Sequence, residues 1–279
     1  MTNRLTYITK SDGTKEIFEE EKLVESLRHS GGSDAVIAQV VERVNAELVN
    51  GISTSDIYHH AFALLRKESI HAAARYSLRR ALAELGPEGF PFEKFVAEIL
   101  KTQGYTTATD QVVHGNCVPH EVDVVAWKPG ELIMVEAKFH NEFNLKSDIK
   151  TVLYVKARFD DLRTQKFDFG GDKERTLTSG WLVTNTKFTE QAIQYGECVK
   201  LKMIGWNYPA KGNLNDLIVE ARLHPFTALA SLSLTQKHAL LGMGIILCKQ
   251  ITPELLHAAG LDAAKTADVL QEISQICEY

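Results

Sequence analysis

His120-Glu-Val-Asp-Val-Val-Ala-Trp127, a turn at Lys128-Pro-Gly130, and then Leu132-Ile-Met-Val-Glu-Ala-Lys138 decide how this chain is read. Both flanking runs are rich in Val and Ile, and Pro129-Gly130 punctuates them, which predicts two paired strands. Side chains alternate faces along a strand. Met134, Glu136 and Lys138 therefore share one face, and Asp123 shares a face with Glu121 and Val125. An acid inside such an apolar strand is costly unless a metal or hydrogen bonds compensate it. Mg²⁺ suits two carboxylates because it keeps several waters and takes phosphate oxygens as further ligands. Asp123 and Glu136 are thus the candidate metal ligands. Lys138 is placed to orient a water or to stabilise charge developing on phosphorus.

The bare acid-x-Lys pattern is weak, since about two copies are expected by chance at this composition. Glu20-Glu21-Lys22 lies in a polar run with helical spacing, and Asp148-Ile149-Lys150 opens a helix-like segment. Only Glu136-Ala137-Lys138 ends an apolar strand directly after an acid-bearing one. The competing reading is an edge hairpin with solvated acids at its ends.

Outward from the hairpin, Phe92, Phe95, Val96, Ile99 and Leu100 follow helical spacing, with Gly104 as the helix stop. Downstream, 147–162 reads as a helix, 180–185 as a strand, 188–195 as a helix and 199–206 as a strand. The expected order is helix, hairpin, helix, strand, helix, strand. These motifs resemble the Mrr-like branch of the PD-(D/E)XK restriction-endonuclease superfamily, over roughly residues 88 to 208. The resemblance implies an α/β core with a central mixed sheet and Mg²⁺- or Mn²⁺-dependent phosphodiester hydrolysis. Glu93, in a Phe-Glu pair, matches an acid of the family's opening helix. Asp123 matches its metal-binding Asp, and Glu136 and Lys138 its strand acid and lysine. Many Mrr-like members carry Gln where this chain has Glu136.

Other residues leave alternatives open. His120 fits proton transfer, a phosphate contact or a plain hydrogen-bonded strand position. Glu121 is a ligand or an exposed residue. Tyr154 and Arg158 lie one helical turn apart, and Arg158 clamps a phosphate or pairs with Asp160 or Asp161. His140 and Asn141 border a groove or form a polar turn.

Before residue 86 the pattern changes. Residues 7–18 read as a hairpin turning at Asp12-Gly13, followed by helical patterns at 20–29, 33–49, 55–67 and 71–85. Ile8-Thr-Lys-Ser-Asp-Gly13, then Glu16, Phe18 and Lys22, then Gly51-Ile-Ser-Thr-Ser-Asp-Ile57 and Ala73-Ala-Arg-Tyr-Ser-Leu-Arg79 stand in order. Together they resemble an ATP-cone, a nucleotide-sensing domain. The resemblance implies ATP or dATP as regulatory ligand, with Lys10 and Lys22 on phosphates, Glu16 and Thr54 lining the pocket and Ile8 against the base. Ser11 departs from the Arg usual there.

The expected α/β (α+β) organisation is a helical ATP-cone with a small hairpin at 1–86, an endonuclease-like core at 87–212 and a small helical region at 213–279. In the last, 232–247 resembles a loose helix-turn-helix, with further helices at 252–259 and 262–277. The 279 residues, 44% hydrophobic and 24% charged, fit a globular chain of two or three domains. No apolar run is long enough to span a membrane, and Met1-Thr-Asn-Arg4 does not open a signal peptide. Cys117, Cys198, Cys248 and Cys277 form no Cys-x-x-Cys unit, which fits a reducing cytoplasm and neither zinc nor disulfides. The net charge of −5 does not mark a nucleic-acid binder, but 138–166 holds seven basic residues against four acidic ones.

The function expected is therefore a metal-dependent endonuclease on double-stranded DNA, regulated by ATP or dATP and working as a homo-oligomer, dimer or tetramer. The alternative is a nucleotide-responsive DNA-binding regulator without cleavage, and a third reading is a degenerate nuclease fold used as scaffold.

Overall fold

A computed structural model describes residues 6–10, 12–86, 90–142, 145–171 and 174–277. Ser11, Pro87, the Met1–Arg4 stretch and the side chain of Cys277 lie outside the described residues. The chain divides into two compact units, residues 1–78 with 271–279, and residues 79–270.

In the first unit, β1 (Tyr7–Thr9) pairs antiparallel with β2 (Lys15–Ile17). The turn between them uses Gly13 at φ +80°, a conformation glycine adopts without steric cost. Asp12 Oδ1 accepts from the Thr14 amide at 2.9 Å. Helices α1 (Glu20–His29), α2 (Asp34–Glu47), α3 (Thr54–Glu68) and α4 (Ile70–Ala83) follow. Ser33 and Ser53 cap α2 and α3 by accepting from the amides of Val36 and Asp56. Ile8, Leu23, Leu27, Val40, Ile57 and Leu65 bury the apolar faces of these elements together. β1 is also held by the loop before α3, where the Thr9 amide donates to the Ile52 carbonyl at 2.9 Å.

The second unit is built on one five-stranded sheet flanked by helices. α5 (Phe90–Thr102) precedes β3 (Thr106–His114), β4 (Pro119–Lys128) and β5 (Glu131–Lys138). Then come β6 (Lys146–Ser147), α6 (Ile149–Leu162), the short pair β7 (Lys166–Phe167) and β8 (Arg175–Thr176), and β9 (Ser179–Thr184). β10 (Lys187–Phe188), α7 (Glu190–Cys198) and β11 (Lys202–Ile204) complete the core. The sheet order is β11-β9-β5-β4-β3. β3, β4 and β5 form an antiparallel meander, while β9 runs parallel to β5 and β11 parallel to β9. α6 buries Val152, Val155, Phe159 and Leu162 against Val125, Leu132, Met134 and Leu182. Val124, Ile133 and Val135, which alternate onto the other face, are buried as well. Burial on both faces explains why these strands read as near-continuous apolar runs.

β3 corrects the sequence reading, which assigned no strand between the first helix and the hairpin. Its Thr-Thr-Ala-Thr-Asp-Gln sequence lacks apolar alternation because it is the sheet's edge, and most of its side chains are exposed or half-buried. The strand expected at 199–206 is shorter, spanning only β11, and Phe188 ends a two-residue strand rather than starting a helix.

The packing of α6 on the sheet depends on Gly180. A Cβ there would stand 2.1 Å from Phe159 Cδ2. Gly180→Val is expected to lower stability by roughly 1–3 kcal/mol or more through overpacking, read as a lower midpoint in denaturant. An unchanged midpoint would show that α6 can retreat from β9 without cost.

After β11 come α8 (Leu214–Glu220), α9 (Leu234–Gly242), α10 (Pro253–Ala258) and α11 (Ala263–Cys277). α8, α9 and α10 share one exit. The amides of Leu223, Ile245 and Leu261 return to the carbonyls of Ile218, Leu240 and Leu256 at 3.0 to 3.1 Å. The residues just before them, Arg222, Gly244 and Gly260, are left-handed. The helix-turn-helix expectation at 232–247 is not met. α9 stops at Gly242, and 245–247 is not helical. Among the described residues no helix is long and apolar enough to cross a membrane.

Candidate active site

The central strands part at the candidate site. β4 and β5 pair from Lys128–Glu131 as far as Val124–Val135. Beyond that step β5 stays on β9 to the end, with Lys138 beside Thr184, and β4 stays on β3. The same register carried one step further sets Asp123 opposite Glu136. There a side chain replaces the backbone ladder, as Asp123 Oδ2 accepts from the Ala137 amide at 2.6 Å. This hydrogen bond closes the fork and fixes where the Asp123 carboxylate sits.

Crowding and burial set the electrostatics. Burial pushes the Glu136 carboxyl up to about 7, the Asp123 charge adds to the rise, and Arg158 and Lys138 oppose it. Burial also raises Asp123, against the pull of the Ala137 amide and the Arg158 charge. Glu93 on α5 is pushed up to about 8, first by burial, then by the Asp123 charge, then by a hydrogen bond shared with Asp110. Burial and the neighbouring acids thus favour the protonated form of the Glu93 carboxyl. The sequence-expected set of Glu93, Asp123, Glu136 and Lys138 converges on one part of the second unit, with Lys138 exposed at the strand end.

Asp110 belongs to this group, and the sequence reading did not find it. It lies on β3 between the pairs Thr109–Val124 and Gln111–Val122, at φ +55°. Such a conformation is uncommon outside glycine, though Asp tolerates it better than most. Its only local signal would have been an acid inside a strand, and the strand itself was missed.

The expected ion-pair partner of Arg158 is corrected. Arg158 Nη1 donates to Glu136 Oε2 rather than to Asp160 or Asp161. Asp160 is taken by Lys156, and Asp161 by His120 Nε2 at 2.8 Å. Asp161 also accepts from the amides of Cys117 and Val118, so it fastens the β3–β4 turn to α6. These bonds, His120 foremost, hold its carboxyl down at about 2. His120 is thus a structural clamp. Gly115 is needed in this turn, because a Cβ there would stand 2.1 Å from Asp161 Oδ2.

Glu121 is exposed. His140 is gripped by Asn185, whose side chain accepts from the His140 amide and donates to its carbonyl, both at 2.8 Å. The basic excess along 138–166 is reduced by two acids from outside it, since Arg158 and Lys166 pair with Glu136 and Glu174.

In the first unit, Lys10 Nζ lies 2.6 Å from Glu16 Oε2 across the hairpin. Lys22 is exposed on α1 beside Glu19 at 2.9 Å. Thr54 is half-buried at the start of α3. Ile8 is 7% exposed within the core of the unit, which leaves little of it to meet a base.

Among the described residues no group of three or more His, Cys, Asp and Glu side chains is arranged to hold a metal. Asp123 and Glu136 still fit a hard divalent cation. They are two half-buried carboxylates, and the Asp123 charge adds to the proton affinity of Glu136; Mg²⁺ is commonly held by one or two carboxylates with waters and phosphate.

A mixed sheet flanked by helices, forked where two strand acids and a strand-end lysine meet, defines a restriction-endonuclease-like catalytic domain. Residues 86–205 match the restriction endonuclease family. Residues 6–84 match the ATP cone domain, and 224–277 match the family described as AF1548-like, C-terminal. An uncharacterized protein of Archaeoglobus fulgidus is 35% identical over 184 residues, covering 65% of this chain and 99% of its own length. The chain belongs to this AF1548-like family, with an ATP cone in front. The crystal structure of AF1548, a protein of unknown function, matches at a TM-score of 0.53 and 34% identity over 67% of this chain and 97% of its own. The MspJI restriction endonuclease in complex with a 27-mer oligonucleotide matches at a TM-score of 0.32 and 14% identity, over 53% of this chain and 35% of its own.

Proposed function

We propose that the protein is a metal-dependent endonuclease that hydrolyses DNA phosphodiesters under control of ATP or dATP. The observation that carries this reading is the fork, which gathers Asp123 and Glu136 on one face while Lys138 extends from the end of the same strand. A divalent cation, Mg²⁺ or Mn²⁺, held by the two carboxylates supplies Lewis-acid polarisation of the phosphate and of the attacking water. Asp123 is oriented by the Ala137 amide. Lys138 orients the water and stabilises charge on the phosphate. Glu93 holds a proton that it shares with Asp110. Double-stranded DNA is the proposed substrate. A homo-oligomer, dimer or tetramer, is part of the proposal, because two centres would let both strands be cut in one binding event. A cytoplasmic location and domain limits at 86 and 212 belong to the same proposal.

The test is cleavage of supercoiled plasmid with Mg²⁺, on methylated, unmethylated and single-stranded DNA, with and without dATP. DNA binding without any cutting would favour the nucleotide-responsive regulator instead.

Nucleotide control rests on the ATP cone. Calorimetry is expected to show ATP or dATP binding, with Lys10→Ala and Lys22→Ala each weakening it about tenfold, or ~1.4 kcal/mol. No binding at millimolar nucleotide would overturn this part alone.

A further inference from the structure

The candidate metal site already contains a cation, and the chain supplies it. Arg158 reaches from α6 to Glu136, with the two side chains only 12% and 18% exposed. Its charge also acts on Asp123. One guanidinium therefore serves both carboxylates proposed to take the metal. A divalent cation bound there would have to share Glu136 with a fixed positive charge a few ångströms away, and like charges at that range repel strongly when half-buried. Arg158 has no second acid waiting on its own helix, because Asp160 is held by Lys156 and Asp161 by His120. What it has is Tyr154, one turn earlier, 58% exposed and with its ring centroid 5.2 Å from the guanidinium carbon. That ring already flanks the guanidinium while it pairs with Glu136 and, being exposed, would still flank it once the pair is broken.

We propose that Arg158 is a latch on the metal site: it neutralises Asp123 and Glu136 when no metal is bound, competes with the metal for Glu136, and turns to the substrate phosphate once displaced. This rests on the reading of Asp123 and Glu136 as metal ligands and deepens it. The latch makes metal and DNA cooperative. Each partner alone must break the Arg158–Glu136 pair, and together they give both halves of the pair a new partner. Arginine suits the task because its planar fork fits a carboxylate and a phosphate equally well.

The test measures Ca²⁺ binding to the full chain by calorimetry, without DNA, at pH 8.5, where proton competition at Glu136 is small. Arg158→Gln is expected to bind Ca²⁺ about tenfold more tightly than wild type. The same variant is expected to cut DNA with Mg²⁺ about 100-fold more slowly. A folded Arg158→Gln that binds Ca²⁺ no more tightly than wild type overturns the latch. If that variant does not fold, side-chain NMR of the wild type decides, with the Arg158 Nε–H signal assigned by its loss in Arg158→Lys. The signal should move on saturation with Ca²⁺, and an unmoved signal overturns the proposal. Glu136→Gln separates the two readings. If wild type binds no Ca²⁺, or Glu136→Gln binds it as wild type does, the metal site itself is misplaced. If Glu136→Gln loses Ca²⁺ while Arg158→Gln gains no affinity, only the latch fails.

Discussion

Asp123→Asn and Glu136→Gln are each expected to reduce Mg²⁺-supported DNA cleavage by about 10³-fold or more while leaving the protein folded. Both substitutions remove a charge and keep the shape. In Asp123→Asn the side-chain oxygen can still accept from the Ala137 amide, so the fork stays closed. In Glu136→Gln the remaining oxygen can still accept from Arg158. Loss of cutting would therefore report loss of the anion and not of the sheet. The alanine series is harsher. Asp123→Ala also frees the Ala137 amide, which costs about 1–3 kcal/mol if that group stays dry. Lys138→Ala should abolish cleavage with almost no change in stability, because Lys138 is exposed. Plasmid nicking and thermal melting on the same preparations separate the two effects. If the Asp123, Glu136 and Lys138 variants all cut like wild type, the site lies elsewhere.

Stability of the second unit is expected to fall as pH rises from about 5 to about 8.5 in the absence of metal. The sign follows from the carboxyls. Glu136 and Glu93 bind protons more tightly when folded, up to about 7 and about 8, than at their ordinary value of 4.5. Between that value and these, the folded state holds more protons than the unfolded one. Their contribution is therefore fully present below about 4.5 and is lost as pH climbs through about 7 and 8. Asp161 acts in the opposite sense but is already ionised throughout this window. After discounting for solvent at the half-exposed Glu93, the loss amounts to roughly 1–3 kcal/mol. Mg²⁺ or Ca²⁺ at 100 times its Kd should return about 2.7 kcal/mol at pH 8.5. Glu136→Gln should flatten the pH profile and abolish the metal effect. Melting curves across pH, with and without metal, check both, and a profile that rises with pH would show that these acids are not crowded.

Much of this architecture is legible along the chain because it rests on local rules. The hairpin at Asp12-Gly13, the serine caps of α2 and α3 and the apolar spacing of α5 and α6 each lie within a few residues of sequence. β3 was not legible. At the sheet's edge none of Thr106 to Gln111 is fully buried, so this stretch carries none of the apolar run that marks β4 and β5. Asp110 went unseen with it.

The sequence by itself determined that Asp123 and Glu136 lie on neighbouring apolar strands, because alternation and a Pro-Gly turn leave little freedom of register. It also determined the ATP cone, whose motifs stand in order along nearly the whole first segment. Only the tertiary structure decided what those acids meet. Spacing could offer Arg158 either Asp160 or Asp161, both on its own helix, but the partner it takes is on another element. α6 lies across the sheet at Gly180, and that packing brings Arg158 to Glu136 while His120 and Lys156 claim the nearer acids. The fork was equally hidden, since the parting of β4 from β5 depends on β3 and β9 pulling the two strands to opposite sides. Strand pairing and helix docking are long-range choices, and no local pattern of residues encodes which charges they bring together.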